Sequence, residues 1–118
     1  MPHPVCHFEI CGKDGKQLQD FYSKLFDWKI DSSSMENYGM VPAEEGGIGG
    51  GIMQATGEIP PYLTLYVQVE DLQVYLDKAV SLGGKMVVPP TDIPNIGAFA
   101  MFTDPAGHIL GLFKGKEQ

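Results

Sequence analysis

The sequence predicts an α+β fold made of two tandem β-α-β-β-β halves, and three observations carry that prediction. Short stretches of alternating apolar and polar residues flank two stretches whose apolar residues recur at helical spacing. The segment Gly57-Glu58-Ile59-Pro60-Pro61 divides the chain nearly in half, and consecutive prolines cannot join a ladder of backbone hydrogen bonds. His7 to Ile30 can also be laid over Thr64 to Val87 without a gap, placing Phe8 on Leu65, Ile10 on Val67, Asp14 on Asp71, Leu25 on Leu82 and Ile30 on Val87.

In chain order, Val5 to Cys11 reads as a strand with Phe8 and Ile10 on the core face and His7, Glu9 and Cys11 on the more polar one. Lys13-Asp14-Gly15 is a turn. From Lys16, the residues Leu18, Phe21, Tyr22 and Leu25 form the apolar face of a helix ending near Phe26. Trp28 and Ile30 alternate with Lys29 and Asp31 in a second strand, and Ser32-Ser33-Ser34 marks the loop after it. Trp28 is expected to be at least half-buried. Tyr38 to Val41 is a third strand. The second half of Gly46-Gly47-Ile48-Gly49-Gly50-Gly51-Ile52-Met53 is a fourth, whose missing side chains let another group approach its backbone closely.

The second half of the chain follows the same plan. Leu63 to Val69 alternates as a strand, Asp71 begins a helix with Leu72, Tyr75, Leu76, Ala79 and Leu82 on its apolar face, and Gly83-Gly84 ends it. Lys85 to Val88 is a strand, Pro89-Pro90 opens a loop, and Gly97 to Phe102 is a strand. The chain closes with a hairpin, Phe102-Thr103-Asp104-Pro105-Ala106-Gly107-His108-Ile109-Leu110-Gly111-Leu112-Phe113, whose Asp-Pro and Gly are turn residues.

The 118 residues suit a single domain that buries about 65% of its unfolded surface without needing a disulfide or structural metal. No apolar run approaches the roughly 20 residues of a membrane span, so membrane insertion is not expected. A net charge of −7 with only eight Lys and Arg argues against nucleic acid, because phosphate binding needs clustered cations. Met1-Pro2-His3-Pro4 does not resemble a secretory leader, which sets the expectation of a cytoplasmic protein. Cys6 and Cys11 lie on opposite faces of one strand and cannot bridge each other.

The closing hairpin resembles that of the vicinal-oxygen-chelate superfamily of glyoxalases, extradiol dioxygenases and bleomycin resistance proteins, whose usual pattern is Asp-Pro-x-Gly-Asn-x-x-Glu-Leu. Asp104, Pro105, Gly107 and Leu112 match it, and Gly111 stands where metal-using members have a ligand Glu. The paired module order, His7 on the first strand and the Leu25-Phe26-Asp27-Trp28 step extend the resemblance over essentially the full chain, with module one at about 5–54 and module two at about 62–114. It implies a curved mixed sheet with the helices on its outer face. It also implies four inward metal-ligand positions, which fall here on His7, about Gly51, Thr64 and Gly111. Only His7 among these is a good ligand, so neither a metal nor any other cofactor is expected. Ile93 to Met101 and the Asp104–Phe113 segment are similar to the glyoxalase-like branch that generally lacks the metal ligands and mostly has no assigned activity.

By strand alternation Glu9, Thr64, Tyr66 and Gln68 share a concave face with His7, which makes these five the candidate ligand-binding residues. No catalytic residue is assigned. His108 is read as a turn residue, Cys11 as a small buried thiol, and His3 is given no role. The leading expectation is a metal-independent homodimer that binds a small organic molecule. The alternatives are a lyase, isomerase or dioxygenase with a non-standard site at His7, and a protein that sequesters a drug.

Overall fold

The computed structural model describes residues 2–35, 37–57 and 60–116; Glu58 and Ile59 of the expected linker lie outside them. The chain forms two compact units, one of His7–Thr64 and one of Met1–Cys6 with Leu65–Gln118. The unit boundaries therefore cut the opening strand of each expected module. Val5 and Cys6 go with the C-terminal half, where the Gln68 amide donates to the Pro4 carbonyl at 2.9 Å.

The N-terminal unit is built from β1 (Val5–Gly12), α1 (Gly15–Phe26), β2 (Asp31–Met35), β3 (Tyr38–Val41) and β4 (Gly49–Gln54), with strands in the order β2-β3-β4-β1. β1 and β4 are parallel and the other pairs antiparallel. Asp14 starts α1 by accepting from the Gln17 amide at 3.0 Å, satisfying one of the donors that a helix start leaves unpaired. Asp27 ends it in the left-handed conformation, φ 58°. That reversal lays Trp28 against Phe8, Tyr22 and Phe26, with ring centroids 5.2 to 5.7 Å apart, and Trp28 is more than half-buried, as expected.

The second strand is not where its alternation predicts. Trp28 to Ile30 make no ladder, and β2 instead runs from Asp31 through the serines. The indole is committed to the aromatic stack, so the backbone meets β3 only after it, with Asp31 opposite Met40 and Met35 opposite Tyr38. An edge strand tolerates such polar residues because it needs only backbone pairing on one side. On α1, Leu18 and Tyr22 are partly buried, but Phe21 and Leu25 are each 56% exposed, so half of the predicted apolar face is uncovered.

The C-terminal unit holds β5 (Tyr62–Gln68, of which the first three residues belong to the other unit), α2 (Leu72–Ser81), β6 (Lys85–Ile93), β7 (Gly97–Thr103) and β8 (Ile109–Gly115), in the order β5-β8-β7-β6. β5 and β8 are parallel; the rest are antiparallel. Asp71 starts α2 by accepting from the Val74 amide at 3.1 Å. Leu72 and Leu76 of that helix pack with Val69, Ala100 and Leu112 as the buried core, whereas Leu82, expected on the same face, is 69% exposed.

The loop expected at Pro89-Pro90 is strand. β6 continues through both prolines because it is an edge strand with register shifts between Met86 and Val88 and between Val88 and Thr91, where a missing N–H costs no ladder bond. The closing hairpin forms as predicted: the Asp104 amide donates to the His108 carbonyl and the Gly107 amide to the Asp104 carbonyl, each at 2.9 Å, with Gly107 at φ 95°. The Asp104 carboxylate also accepts from the Ala106 and His108 amides at 2.9 Å and meets the His108 ring at 3.1 Å, giving His108 its turn role.

Candidate functional site

β1 presents His7, Glu9 and Cys11 on one face, and the parallel register with β4 sets Glu9 beside Gly51. The two glycines at the centre of β4 clear space on opposite faces. A Cβ at Gly50 would overlap the Phe8 ring, and a Cβ at Gly51 would overlap the ring and hydroxyl of Tyr38. Because Gly51 offers no side chain, Tyr38 can reach from β3 across β4 toward β1. Its hydroxyl lies 3.0 Å from His7 Nε2 and 3.1 Å from Glu9 Oε2. From the start of β5, the Tyr62 hydroxyl donates to Glu9 Oε1 at 2.6 Å.

Proton accounting fixes the roles within this array. A tyrosine has one hydroxyl proton, and a carboxylate can only accept. Tyr38 therefore donates to Glu9, Tyr62 donates to the other oxygen, and His7 donates its Nε2 proton to the Tyr38 oxygen. Tyr62 also lies 3.7 Å from Met53 Sδ, but its proton is committed to the much shorter carboxylate bond. Burial lowers the pKa of His7 and the Glu9 charge opposes this only in part, so the imidazole is neutral near pH 7. Burial and then the Glu9 charge raise the pKa of Cys11, which remains a thiol.

The expected core face of β1 is the less buried one. Phe8 and Ile10 are only partly covered, while Glu9 is 6% exposed and Cys11 is buried. The solvated polar face that alternation suggests does not exist here, because tyrosines roof it. Of the five candidate residues, His7 and Glu9 enter one hydrogen-bonded array, and Thr64 is buried in the same unit. Tyr66 and Gln68 belong to the C-terminal unit, where Tyr66 is buried and Gln68 exposed. Tyr38 and Tyr62 escaped sequence reasoning. The signal for Tyr38 was the glycine run, since a strand without side chains must be covered by those of its neighbours. Two grooves, of about 360 and 340 Å³, both lie in the C-terminal unit and contain none of the five residues.

The divalent metal of the wider superfamily does not fit these residues. The ring of Tyr38 fills the space over Gly51 and the ring of Tyr66 that over Gly111, so neither position could carry a ligand side chain without displacing a tyrosine. His7 is engaged by Tyr38. Among the described residues no three His, Cys, Asp or Glu side chains come together as a metal-holding group. No helix among them is long and apolar enough to cross a membrane.

Comparison with known proteins agrees with this architecture. Two mycobacterial proteins, both named "Putative glyoxylase CFP32" and from Mycobacterium bovis and Mycobacterium tuberculosis, are 33% identical over 94 residues, which is 75% of this chain and 36% of theirs. The chain thus spans about a third of the length of these curated relatives. Among solved structures, a hypothetical protein from Bacillus halodurans aligns with a TM-score of 0.74 at 14% identity, covering 100% of this chain and 98% of that one. Methylmalonyl-CoA epimerase from Mycobacterium tuberculosis aligns with a TM-score of 0.73 at 12% identity, covering 96% and 88%. Structures this distant in sequence share the fold alone. The model of the Glyoxalase/Bleomycin resistance protein/Dioxygenase superfamily matches residues 5–112, and the chain belongs to that family.

Proposed function

We propose that this protein binds a small organic molecule against the array of His7, Tyr38, Glu9 and Tyr62, without a divalent metal. The observation that supports this reading is the Glu9 carboxylate, 6% exposed and gripped by two phenol hydroxyls with a neutral imidazole at its edge. Burying a carboxylate is costly unless it is well hydrogen-bonded, and here two phenol hydroxyls supply those bonds. The partly exposed rings of His7, Tyr38 and Tyr62 supply aromatic surface and polar atoms, the combination that orients small ligands. Thr64, of the same unit, remains a proposed contributor, and Tyr66 and Gln68 remain proposed ligand-binding residues of the C-terminal unit.

The same array favours one alternative, an enzyme in which protons pass between His7 and Glu9 through the Tyr38 hydroxyl. The glyoxylase name of the mycobacterial relatives belongs to longer chains, of which the match covers 36%, and it does not carry that activity to this one. The reading further includes a cytoplasmic homodimer. The dimer is supported by apolar surface that a lone copy leaves open, including Leu63 at 72% exposure and the Phe21 and Leu25 side of α1.

Native mass spectrometry of the purified protein, with and without denaturation, tests the proposal. The expected result is a small organic mass that is lost on denaturation and depleted in Tyr38→Phe and His7→Gln proteins. A ligand retained equally by both variants would place the site elsewhere. A stoichiometric divalent metal in the native protein would overturn the metal-independent reading.

A further inference from the structure

We infer that the groove between α2 and the β7–β8 hairpin is a second binding site, specific for a small apolar monocarboxylate. Its volume is about 360 Å³, at the small end of the roughly 300–1,000 Å³ typical of ligand sites. One ring with a short acidic side chain matches that size. Phe102, Leu112, Ala79 and Leu82 line it with apolar surface. Leu82 is 69% exposed although it follows directly on a helix whose Leu76 is fully buried, so its side chain is available to cover a ligand.

The polar atoms of the groove select the charge of the occupant. Tyr75 and Lys78 are three residues apart on α2 and so share a helix face. Their hydroxyl and ammonium, and the Thr103 hydroxyl across the groove, make no hydrogen bond or ion pair within the described residues. All three can donate, and one carries a positive charge. The single carboxylate in the lining, Asp104, is ionised, and its oxygens already accept from the Ala106 and His108 amides and face the His108 ring within their own turn. The end of α2 presents few open carbonyls either. The Lys78 oxygen accepts from the Leu82 amide and the Ser81 hydroxyl, the Ala79 oxygen from the Leu82 and Gly84 amides, and the Val80 oxygen from the Gly83 amide. A carboxylate therefore meets donors where the apolar body of the ligand meets Phe102 and Leu112. His3, edge-on to the Tyr75 ring at 4.8 Å, closes one side.

Phenylacetate and its uncharged counterpart phenylacetamide are the probes, titrated into the full chain and followed by two-dimensional 1H–15N NMR. The expected result is saturable shifts of the Tyr75, Lys78, Leu82 and Thr103 amides, with the acid binding at least about tenfold more tightly than the amide, or about 1.4 kcal/mol. Lys78→Gln, an exposed substitution, should remove that preference while leaving phenylacetamide binding unchanged, and Leu82→Asp should weaken both. Equal affinity for acid and amide, an unchanged preference in Lys78→Gln, shifts centred on Glu9 and Tyr38, or no saturation by about 10 mM would each overturn the proposal. His7→Gln should not alter phenylacetate binding, so this site and the β1 array stand or fall separately.

Discussion

Gly51→Ala is the sharpest test of the way the tyrosine roof is built. A methyl at this position overlaps the Tyr38 ring and hydroxyl, and the relief available is rotation of that ring off β4. Rotation breaks the bonds to His7 at 3.0 Å and to Glu9 at 3.1 Å. A hydrogen bond to a charged group contributes about 1.5–3 kcal/mol and a neutral one about 0.5–1.5 kcal/mol. Against this, alanine in a strand gains about 0.5–1 kcal/mol over glycine through the lower entropy of its unfolded chain. The net loss is about 2.5 kcal/mol. For 118 residues the unfolding entropy is about 0.25 kcal/mol/K, so the melting temperature should fall by about 10 °C. The assay is urea and thermal unfolding, followed through the fluorescence of Trp28, the one tryptophan. The decisive comparison is a double-mutant cycle. With Tyr38→Ala already in place there is no ring to displace, so Gly51→Ala should be neutral or stabilising by about 0.5 kcal/mol. An equal loss in both backgrounds would refute the reasoning, as would a loss below about 0.5 kcal/mol in the native one.

Three further outcomes are expected. Trp28→Ala should cost about 3 kcal/mol by emptying the stack with Phe8, Tyr22 and Phe26, and a loss under about 1 kcal/mol by urea unfolding would show that the stack contributes little. Because burial lowers the pKa of His7, the unfolded chain binds more protons there than the folded one, so stability is full above the ordinary histidine value of about 6.5 and declines as pH falls below it. His7→Gln should flatten that decline, and identical pH profiles for the two proteins would contradict it. Gly111→Glu, paired with Thr64→His, should not create a metal site but should destabilise the fold, since the new Cβ meets the buried Tyr66 ring. Zinc titration with thermal unfolding checks both parts, and a metal-dependent rise in melting temperature would show that these positions accept ligands.

Much of the architecture was legible in local pattern. The two helices, the start of the second at Asp71 and the Asp104–Gly107 turn depend on residue types at fixed short spacings, which is information that a linear sequence carries, whereas Asp14, read as a turn residue, is the cap of α1. The absence of good metal ligands at Gly51, Thr64 and Gly111 was equally a matter of residue identity. The misplaced second strand and the loop assigned to Pro89-Pro90 show where local pattern loses its hold. Trp28 alternates as a strand residue should, but the left-handed turn at Asp27 lays its ring in an aromatic stack, and pairing with β3 starts only at Asp31. The prolines are tolerated because β6 lies at an edge with shifted register, a property of strand order.

The site itself needed the tertiary structure. Alternation put His7 and Glu9 on one face but not which face was buried, because cover comes from strands far away in sequence. Tyr38 is 29 residues from Glu9 and Tyr62 is 53 away. Their hydroxyls reach one carboxylate only because Gly51 removes the side chain that would block Tyr38 and because β5 begins beside the array. The sequence by itself determined the ingredients: a histidine on the first strand, an acid two residues on, and a strand stripped to glycine. Tertiary structure decided that tyrosine would take the space the glycines left, because side-chain packing between non-adjacent strands is set by register and not by local composition.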